Sequence, residues 1–183
     1  AYTSALKKNP LSDLLAREAL RLLAANLDEA VHNGSNREAR QAMLLGACLA
    51  GQAFANAPVA AVHALAYPLG GNFHIPHGLS NALVLPHVLR FNLVAARPHY
   101  RELAPLVLGD ALDAGRCAAE QLIEAFEQLG ARMGLPTRLR DAGVAQGQLA
   151  QLAREAMLQQ RLLVNNPREV TEADALAFYR AAY

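Results

Sequence analysis

Two histidines, His63 and His77, are the residues whose type and spacing could support chemistry. A neutral imidazole is the commonest metal ligand among side chains, and two imidazoles need one or two further ligands to make a Zn²⁺ or Fe²⁺ site. The spacing lacks the specificity of a His-Glu-x-x-His helix, so two hydrogen-bonded histidines of the core would give the same pattern. The absence of nearby carboxylates argues against a metal site if the chain is complete.

The residues around the two histidines predict a helical hairpin. Pro58 opens a short helix that we expect to end near Tyr67, because the residue before Pro68 is steered away from helical angles. Gly70-Gly71 is predicted to turn the chain, and Pro76 precedes a second helix. A hairpin of this kind would bring the two imidazoles to one point.

No Asp, Glu, Lys or Arg occurs between Arg40 and Arg90. A solvated helix carries charge on its outer face, so such a stretch should lie mostly inside a protein or a bilayer. Polar residues and prolines interrupt the apolar run well short of the ~20 residues that a spanning helix needs. We therefore predict a buried protein core that contains four of the six histidines, and no membrane partner.

Helical signals continue through the rest of the chain, and convincing period-2 strands are absent. Asn9-Pro10 marks a helix that ends at Gly34, and Ser35-x-x-Glu38 has the form of a capping box for the next helix. Further helices are predicted at residues 118–133, 146–160 and from 171 onward. The chain is therefore predicted to be an all-α single domain without repeats or low-complexity segments.

Composition excludes several classes of function. Lys and Arg total 17 against 16 Asp and Glu, with no basic run, so a nucleic-acid partner is not expected. Cys48 and Cys117 lie far apart in apolar helical patterns, which predicts buried thiols, a reducing compartment and cytoplasmic localisation. The first residue is not Met and no leader-like segment follows it, so we interpret the chain as a fragment.

The segment from His63 to Asn92, HALAYPLGGNFHIPHGLSNALVLPHVLRFN, resembles the signature of the iron-containing (group III, metal-dependent) alcohol dehydrogenase family. The match is long and specific, and both ends of the chain support it. Residues 1–4 are similar to the end of the family's first metal-binding helix, and residues 166–171 are similar to its closing motif. The resemblance therefore covers nearly the whole chain.

The resemblance implies that residues 1–183 are the C-terminal helical metal-binding domain of a two-domain enzyme, a multi-helix bundle of the dehydroquinate synthase-like type. The N-terminal dinucleotide-binding domain would be absent from this chain. The family holds its metal with one Asp and three His. The motif assigns two of these ligands to His63 and His77, and the remaining Asp-x-x-x-His pair is expected on a helix upstream of Ala1.

The implied reaction interconverts an alcohol and an aldehyde or ketone. Its cofactors would be Fe²⁺ (or Zn²⁺) and NAD or NADP. The metal would stabilise negative charge on the alcohol oxygen while hydride passes to the nicotinamide. We expect the intact protein to be a homodimer and the isolated 183-residue chain to be inactive.

Two further site residues follow from the resemblance. Many members carry a His four residues after the first signature ligand, where this chain has Tyr67. If the helix persists that far, Tyr67 shares a face with His63 and could pass a proton or hydrogen-bond the substrate, although a phenol is a poorer proton shuttle than an imidazole. A packed core tyrosine is the alternative.

Phe54 stands where the family often has an aromatic residue beside the nicotinamide, and core packing would explain it equally well. The motif makes neither His74 nor His87 a ligand.

Two alternative functions remain open. A maleylacetate reductase, glycerol dehydrogenase or dehydroquinate synthase-like member of the same superfamily would share the helical domain but differ in metal and substrate. Pro76-His77-Gly78 followed by Asn81 and Pro86 favours the alcohol dehydrogenase branch. A non-catalytic helical interaction module, from a different class, would bind no metal. Metal content and NAD(P)H formation with short alcohols distinguish these alternatives.

Overall fold

Eight α-helices and no strand make up the structure, a computed structural model that describes residues 1–183. The prediction of an all-α fold is confirmed. The helices are α1 (Pro10–His32), α2 (Arg37–Asn56), α3 (Ala61–Phe73), α4 (His77–Leu108), α5 (Ala118–Arg132), α6 (Leu149–Met157), α7 (Gln160–Leu163) and α8 (Glu172–Ala181). The chain forms two compact units: unit 1 contains Ala1–Pro58 and Ala96–Ala125, and unit 2 contains Val59–Ala95 and Phe126–Tyr183.

In unit 1, α1 packs along α2. The cap of α1 is the predicted one, because the Asn9 side chain accepts the backbone N–H of Ser12 and the Ser12 hydroxyl accepts the N–H of Asn9. A close approach of the two helices occurs at Gly46. A Cβ atom at this position would lie 2.9 Å from Cγ of Leu23, so a glycine is needed there.

The start of α2 differs from the prediction by one residue. The expected capping box of Ser35 and Glu38 does not form. Instead the Asn36 side chain accepts the backbone N–H of Ala39 at 3.1 Å, and the Ser35 hydroxyl donates to the side chain of Asn33 at 2.7 Å. Asn and Ser are comparable N-cap residues, so the pattern identified the helix but not the residue that caps it.

The prediction that the uncharged segment is buried is wrong for α2. Leu44 is 73% exposed and Phe54 is 50% exposed. Cys48, which was predicted to be a core thiol, is also exposed. By contrast, α3 is buried along most of its length, through Ala61, Ala64, Leu65, Ala66, Pro68 and Leu69. The lack of charge therefore marks an apolar surface on α2 and a core helix at α3.

Unit 2 is built around an apolar cluster that receives side chains from α3, α4, α6, α7 and α8. Helix α3 contacts α6 and α7, and α6 contacts α8. The predicted start of α8 is present, with the Thr171 hydroxyl accepting the N–H of Asp174 at 3.2 Å and the Asp174 carboxylate accepting the N–H of Thr171 at 2.9 Å. The predicted helix at 146–160 is shorter than expected, since α6 covers only Leu149–Met157.

The end of α3 also differs from the prediction. The helix does not stop near Tyr67 but continues through Pro68 and Gly70-Gly71 to Phe73. Its C-cap is His74, whose φ of 56° is left-handed and whose N–H donates to the C=O of Gly70 at 3.1 Å. Burial of α3 in the unit 2 core outweighs the cost of a proline and two glycines inside a helix.

By length and composition alone, α4 with the turn after it (His77–Ala111, mean hydropathy 1.3) could cross a membrane. This is weak evidence, because the core helix of a soluble protein passes the same test. Three of its apolar side chains, Leu83, Val84 and Val88, are part of the unit 2 core. The expected lack of a membrane partner stays a prediction.

Candidate metal centre

His63 and His77 lie on two successive helices of unit 2. His63 is in the first turn of α3, and its backbone N–H donates to the C=O of Ala60 at 3.1 Å. His77 is the first residue of α4. Ser80 stabilises the start of that helix, because its buried hydroxyl donates to the C=O of Ile75 at 3.2 Å. Each histidine thus lies in the first turn of its helix, and the start of that helix determines its backbone conformation.

The imidazole rings of His63 and His77 lie close together, with centroids 5.1 Å apart and 55° between the ring planes. Tyr67 lies one helical turn beyond His63, and its ring centroid is 6.2 Å from that of His77. The three rings therefore form one cluster. A separation of this size is compatible with two nitrogen ligands of a single cation, since Zn–N bonds are about 2.0–2.1 Å long.

The environment of His63 favours its neutral form. Burial, reinforced by the neighbouring His77 ring, lowers the pKa of His63 to about 4. At neutral pH the ring therefore carries no charge and keeps a lone pair on one nitrogen. This is the form of histidine that binds a metal.

Asn81, one turn after His77 on α4, contacts the ring of His77. Its side-chain nitrogen lies 3.0 Å from Nε2 of His77, so the amide donates and Nε2 accepts. The other amide atom, Oδ1 of Asn81, is buried and has no hydrogen-bond partner. The sequence analysis used Asn81 only to favour the alcohol dehydrogenase branch and did not name it as a site residue, although its spacing of one helical turn from His77 was a usable signal.

The residues present fit part of a metal shell. Two neutral imidazoles are suitable donors for Fe²⁺ or Zn²⁺. Over residues 1–183, no group of three or more His, Cys, Asp or Glu side chains is placed to hold a metal ion. His63 and His77 would therefore need additional ligands, and the Asp-x-x-x-His pair expected outside this chain stays a prediction.

The other sequence-predicted candidates lie in varied surroundings. Phe54 is on α2 in unit 1, half exposed. His74 is exposed at the end of α3, as expected for a polar residue at a helix end. His87 is half-buried on α4, and burial lowers its pKa. Cys117 is half-buried, and the Arg97 guanidinium donates to its sulfur at 3.3 Å, so it is not the core thiol that was predicted.

Comparison with known proteins places the chain in a family. The sequence model described as "Fe-containing alcohol dehydrogenase family, C-terminal" matches residues 1–183. The chain is 41% identical to long-chain-alcohol dehydrogenase 1 of Geobacillus thermodenitrificans, over 100% of this chain and 46% of that protein. It is 40% identical to 1,3-propanediol dehydrogenase of Klebsiella pneumoniae, over 96% of this chain and 45% of that protein.

Solved structures give the same result. A crystal structure of 1,3-propanediol oxidoreductase matches with a TM-score of 0.90 and 39% identity, over 100% of this chain and 47% of that one. The alcohol dehydrogenase from Oenococcus oeni matches with a TM-score of 0.91 and 37% identity, over 100% and 47%. The chain thus spans slightly less than half the length of these relatives. This chain belongs to the Fe-containing alcohol dehydrogenase family, whose C-terminal part it matches from end to end.

Proposed function

We propose that residues 1–183 are the C-terminal metal-binding domain of an enzyme that interconverts an alcohol and an aldehyde or ketone with NAD or NADP. The observation that carries the proposal is the approach of His63 and His77, with ring centroids 5.1 Å apart, in a member of this family. The part of the relatives that the chain does not span would contain the N-terminal dinucleotide-binding domain. This is supported by coverage of only 46% of the length of a 41% identical relative.

His63 and His77 would hold Fe²⁺, or Zn²⁺, through neutral ring nitrogens, together with an Asp and a His outside the chain. When bound, such a cation supplies Lewis-acid chemistry that favours negative charge on the substrate oxygen. The lowered pKa of His63 keeps this ring unprotonated at neutral pH, so no proton competes with the metal there.

Tyr67 is proposed to contact the substrate. Its side chain is 37% exposed while its ring lies 6.2 Å from that of His77, so a small molecule can reach it next to the candidate ligands. Its Oη atom would hydrogen-bond the substrate or hold a proton. Phe54, which is 50% exposed, is proposed to lie beside the nicotinamide.

The test uses the intact gene product. We expect iron or zinc in an equimolar ratio to the subunit, and NAD(P)H formation with primary alcohols. Long-chain alcohols and 1,3-propanediol should head the substrate series, because they occur in the names of two relatives. Metal at far less than one ion per subunit, with no turnover after reconstitution with iron or zinc, would favour the non-catalytic interaction module instead.

We further propose that the intact protein is a cytoplasmic homodimer. Both cysteines are free, which supports a reducing compartment. Analytical ultracentrifugation of the intact protein and fractionation of the source cells test these two points. A monomer, or recovery outside the cytoplasm, would contradict them.

A further inference from the structure

Helix α3, which carries His63, lacks several local features that normally stabilise a helix. Its N-cap residue is Ala60, which has no side-chain cap. Pro68 lies inside the helix and has no N–H, so the C=O of Ala64 loses its usual intrahelical donor. Gly70-Gly71 adds a further cost in helix propensity. The helix therefore depends on partners from other parts of unit 2.

Tyr179 on α8 is one such partner. Its hydroxyl donates to the backbone C=O of Leu65 at 2.6 Å, and its side chain is completely buried. Leu65 lies only two residues after His63, in the same helical turn. Burial raises the pKa of Tyr179, so the phenol keeps its proton and remains a donor.

Asn165 is a second partner, on the other side of His63. Its side-chain amide donates to the C=O of Val59 at 3.2 Å and to the C=O of Arg161 at 3.1 Å. Val59 comes directly before Ala60, the N-cap residue of α3. The side chain of Asn165 is buried, so this bond is protected from competing water.

The two bonds bracket His63 on the backbone without touching its ring. Asn165 lies 106 residues after Val59, and Tyr179 lies 114 residues after Leu65. Both donors belong to a segment to which the proposed function assigns no role. We infer that Tyr179 and Asn165 are positioning residues, which hold the backbone around His63 so that its ring stays beside that of His77. This inference rests on the proposed function, because the purpose it assigns is metal binding.

Tyr179→Phe is the central test, since it removes one hydroxyl and keeps the packed ring. Zn²⁺ affinity is measured on the metal-stripped intact protein by competition with a chromophoric chelator. We expect the dissociation constant to rise about tenfold, the lower end of the effect of residues that orient metal ligands. Asn165→Asp keeps the shape of the side chain but removes its N–H donors, and it should also raise the Zn²⁺ dissociation constant.

Gln121→Ala is the control. Gln121 is a buried amide of α5 in unit 1 that bonds to the backbone of Asp113 and Arg116. We expect it to lower the thermal midpoint of unfolding without changing the Zn²⁺ dissociation constant. Hydrogen exchange of the metal-free protein gives a second readout: amides at 61–65 should exchange faster in Tyr179→Phe and at the normal rate in Gln121→Ala.

The measurements distinguish a failure of this inference from a failure of the proposed function. If Tyr179→Phe loses stability like the control while its Zn²⁺ affinity equals that of the unaltered protein, the residue is only structural and the inference is overturned. If the unaltered intact protein itself does not bind Zn²⁺, the proposed function fails and the inference fails with it. Should Asn165→Asp not fold, the result for Tyr179→Phe decides alone.

Discussion

The side-chain amides of Asn92 and Asn166 form a reciprocal pair: Asn92 donates to Oδ1 of Asn166 at 2.9 Å, and Asn166 donates to Oδ1 of Asn92 at 2.8 Å. Both side chains are buried. Asn166 also donates to the C=O of Arg168 at 2.7 Å, and the Arg168 guanidinium lies 3.8 Å from the centroid of the Phe91 ring. The segment at residues 166–171, which resembles the family's closing motif, is thus joined to α4 within unit 2.

Asn92→Ala should lower the free energy of unfolding by about 1–3 kcal/mol, because it leaves the buried Oδ1 atom of Asn166 without its hydrogen-bond donor. Urea denaturation of the intact protein measures this loss. The double variant Asn92→Ala/Asn166→Ala should lose less than the sum of the two single variants, since both residues share one interaction. Strictly additive losses would show that the pair contributes nothing.

His77→Ala and His63→Ala should each reduce the metal content of the intact protein and its kcat together, because an incomplete set of ligands cannot retain the ion. Metal analysis of the purified variants measures the first effect. His74→Asn is the control: this exposed histidine lies between the two in sequence, and Asn tolerates its left-handed backbone. Full metal content in His77→Ala would remove that residue from the ligand set.

Tyr67→Phe should lower kcat by roughly tenfold or more while metal content stays unchanged, if its hydroxyl contacts the substrate or holds a proton. Steady-state kinetics with a short alcohol measure kcat and KM separately. Tyr67→His should retain activity near neutral pH, because an imidazole is the better proton shuttle in that range. Equal kcat values for Tyr67→Phe and the unaltered protein would make Tyr67 a packing residue.

His87 should make stability depend on pH. Burial lowers its pKa below the usual 6.5, with Glu127 opposing and Arg90 reinforcing the shift. As pH falls through 6.5 the unfolded chain gains a proton that the folded chain does not, so stability decreases by at most about 1.4 kcal/mol per pH unit.

Denaturation curves between pH 8 and pH 5, recorded with a chelator present, check this dependence. His87→Gln should reduce the slope, and the slope that remains is the contribution of His63, whose pKa is also lowered by burial. An identical slope in His87→Gln would mean that His87 is protonated equally in both states.

Alanine substitutions at two glycines of α2 should change the stability of the protein in opposite directions. Gly46→Ala places a Cβ atom 2.9 Å from Cγ of Leu23 and should destabilise the protein by about 1–3 kcal/mol through overpacking. Gly51→Ala has no atom within 4 Å of the new Cβ and should stabilise by up to about 1 kcal/mol through helix propensity. Thermal unfolding of both variants tests these two expectations. If Gly46→Ala were stabilising, α1 would have to shift to make room for the new Cβ atom.

Several predictions from sequence failed at particular residues for identifiable reasons. The end of α3 was misplaced at Tyr67, because the local cost of Pro68 is overcome by burial in unit 2. The burial of Leu44 was misjudged, since a lack of charge does not show whether an apolar face is covered inside this chain or exposed. Tyr179 and Leu65 could not be paired from the sequence, because no local pattern reports a contact across 114 residues.

The amino-acid sequence by itself determined the all-α class, the starts of α1 at Asn9-Pro10 and α8 at Thr171, and the family. Each of these depends on neighbouring residues: a cap and its partner are three positions apart, and a motif is read in order. Only the tertiary structure decided that the rings of His63 and His77 approach to 5.1 Å. That distance depends on how α3 and α4 are held by packing and hydrogen bonds from distant parts of the chain, which local conformational preference does not specify.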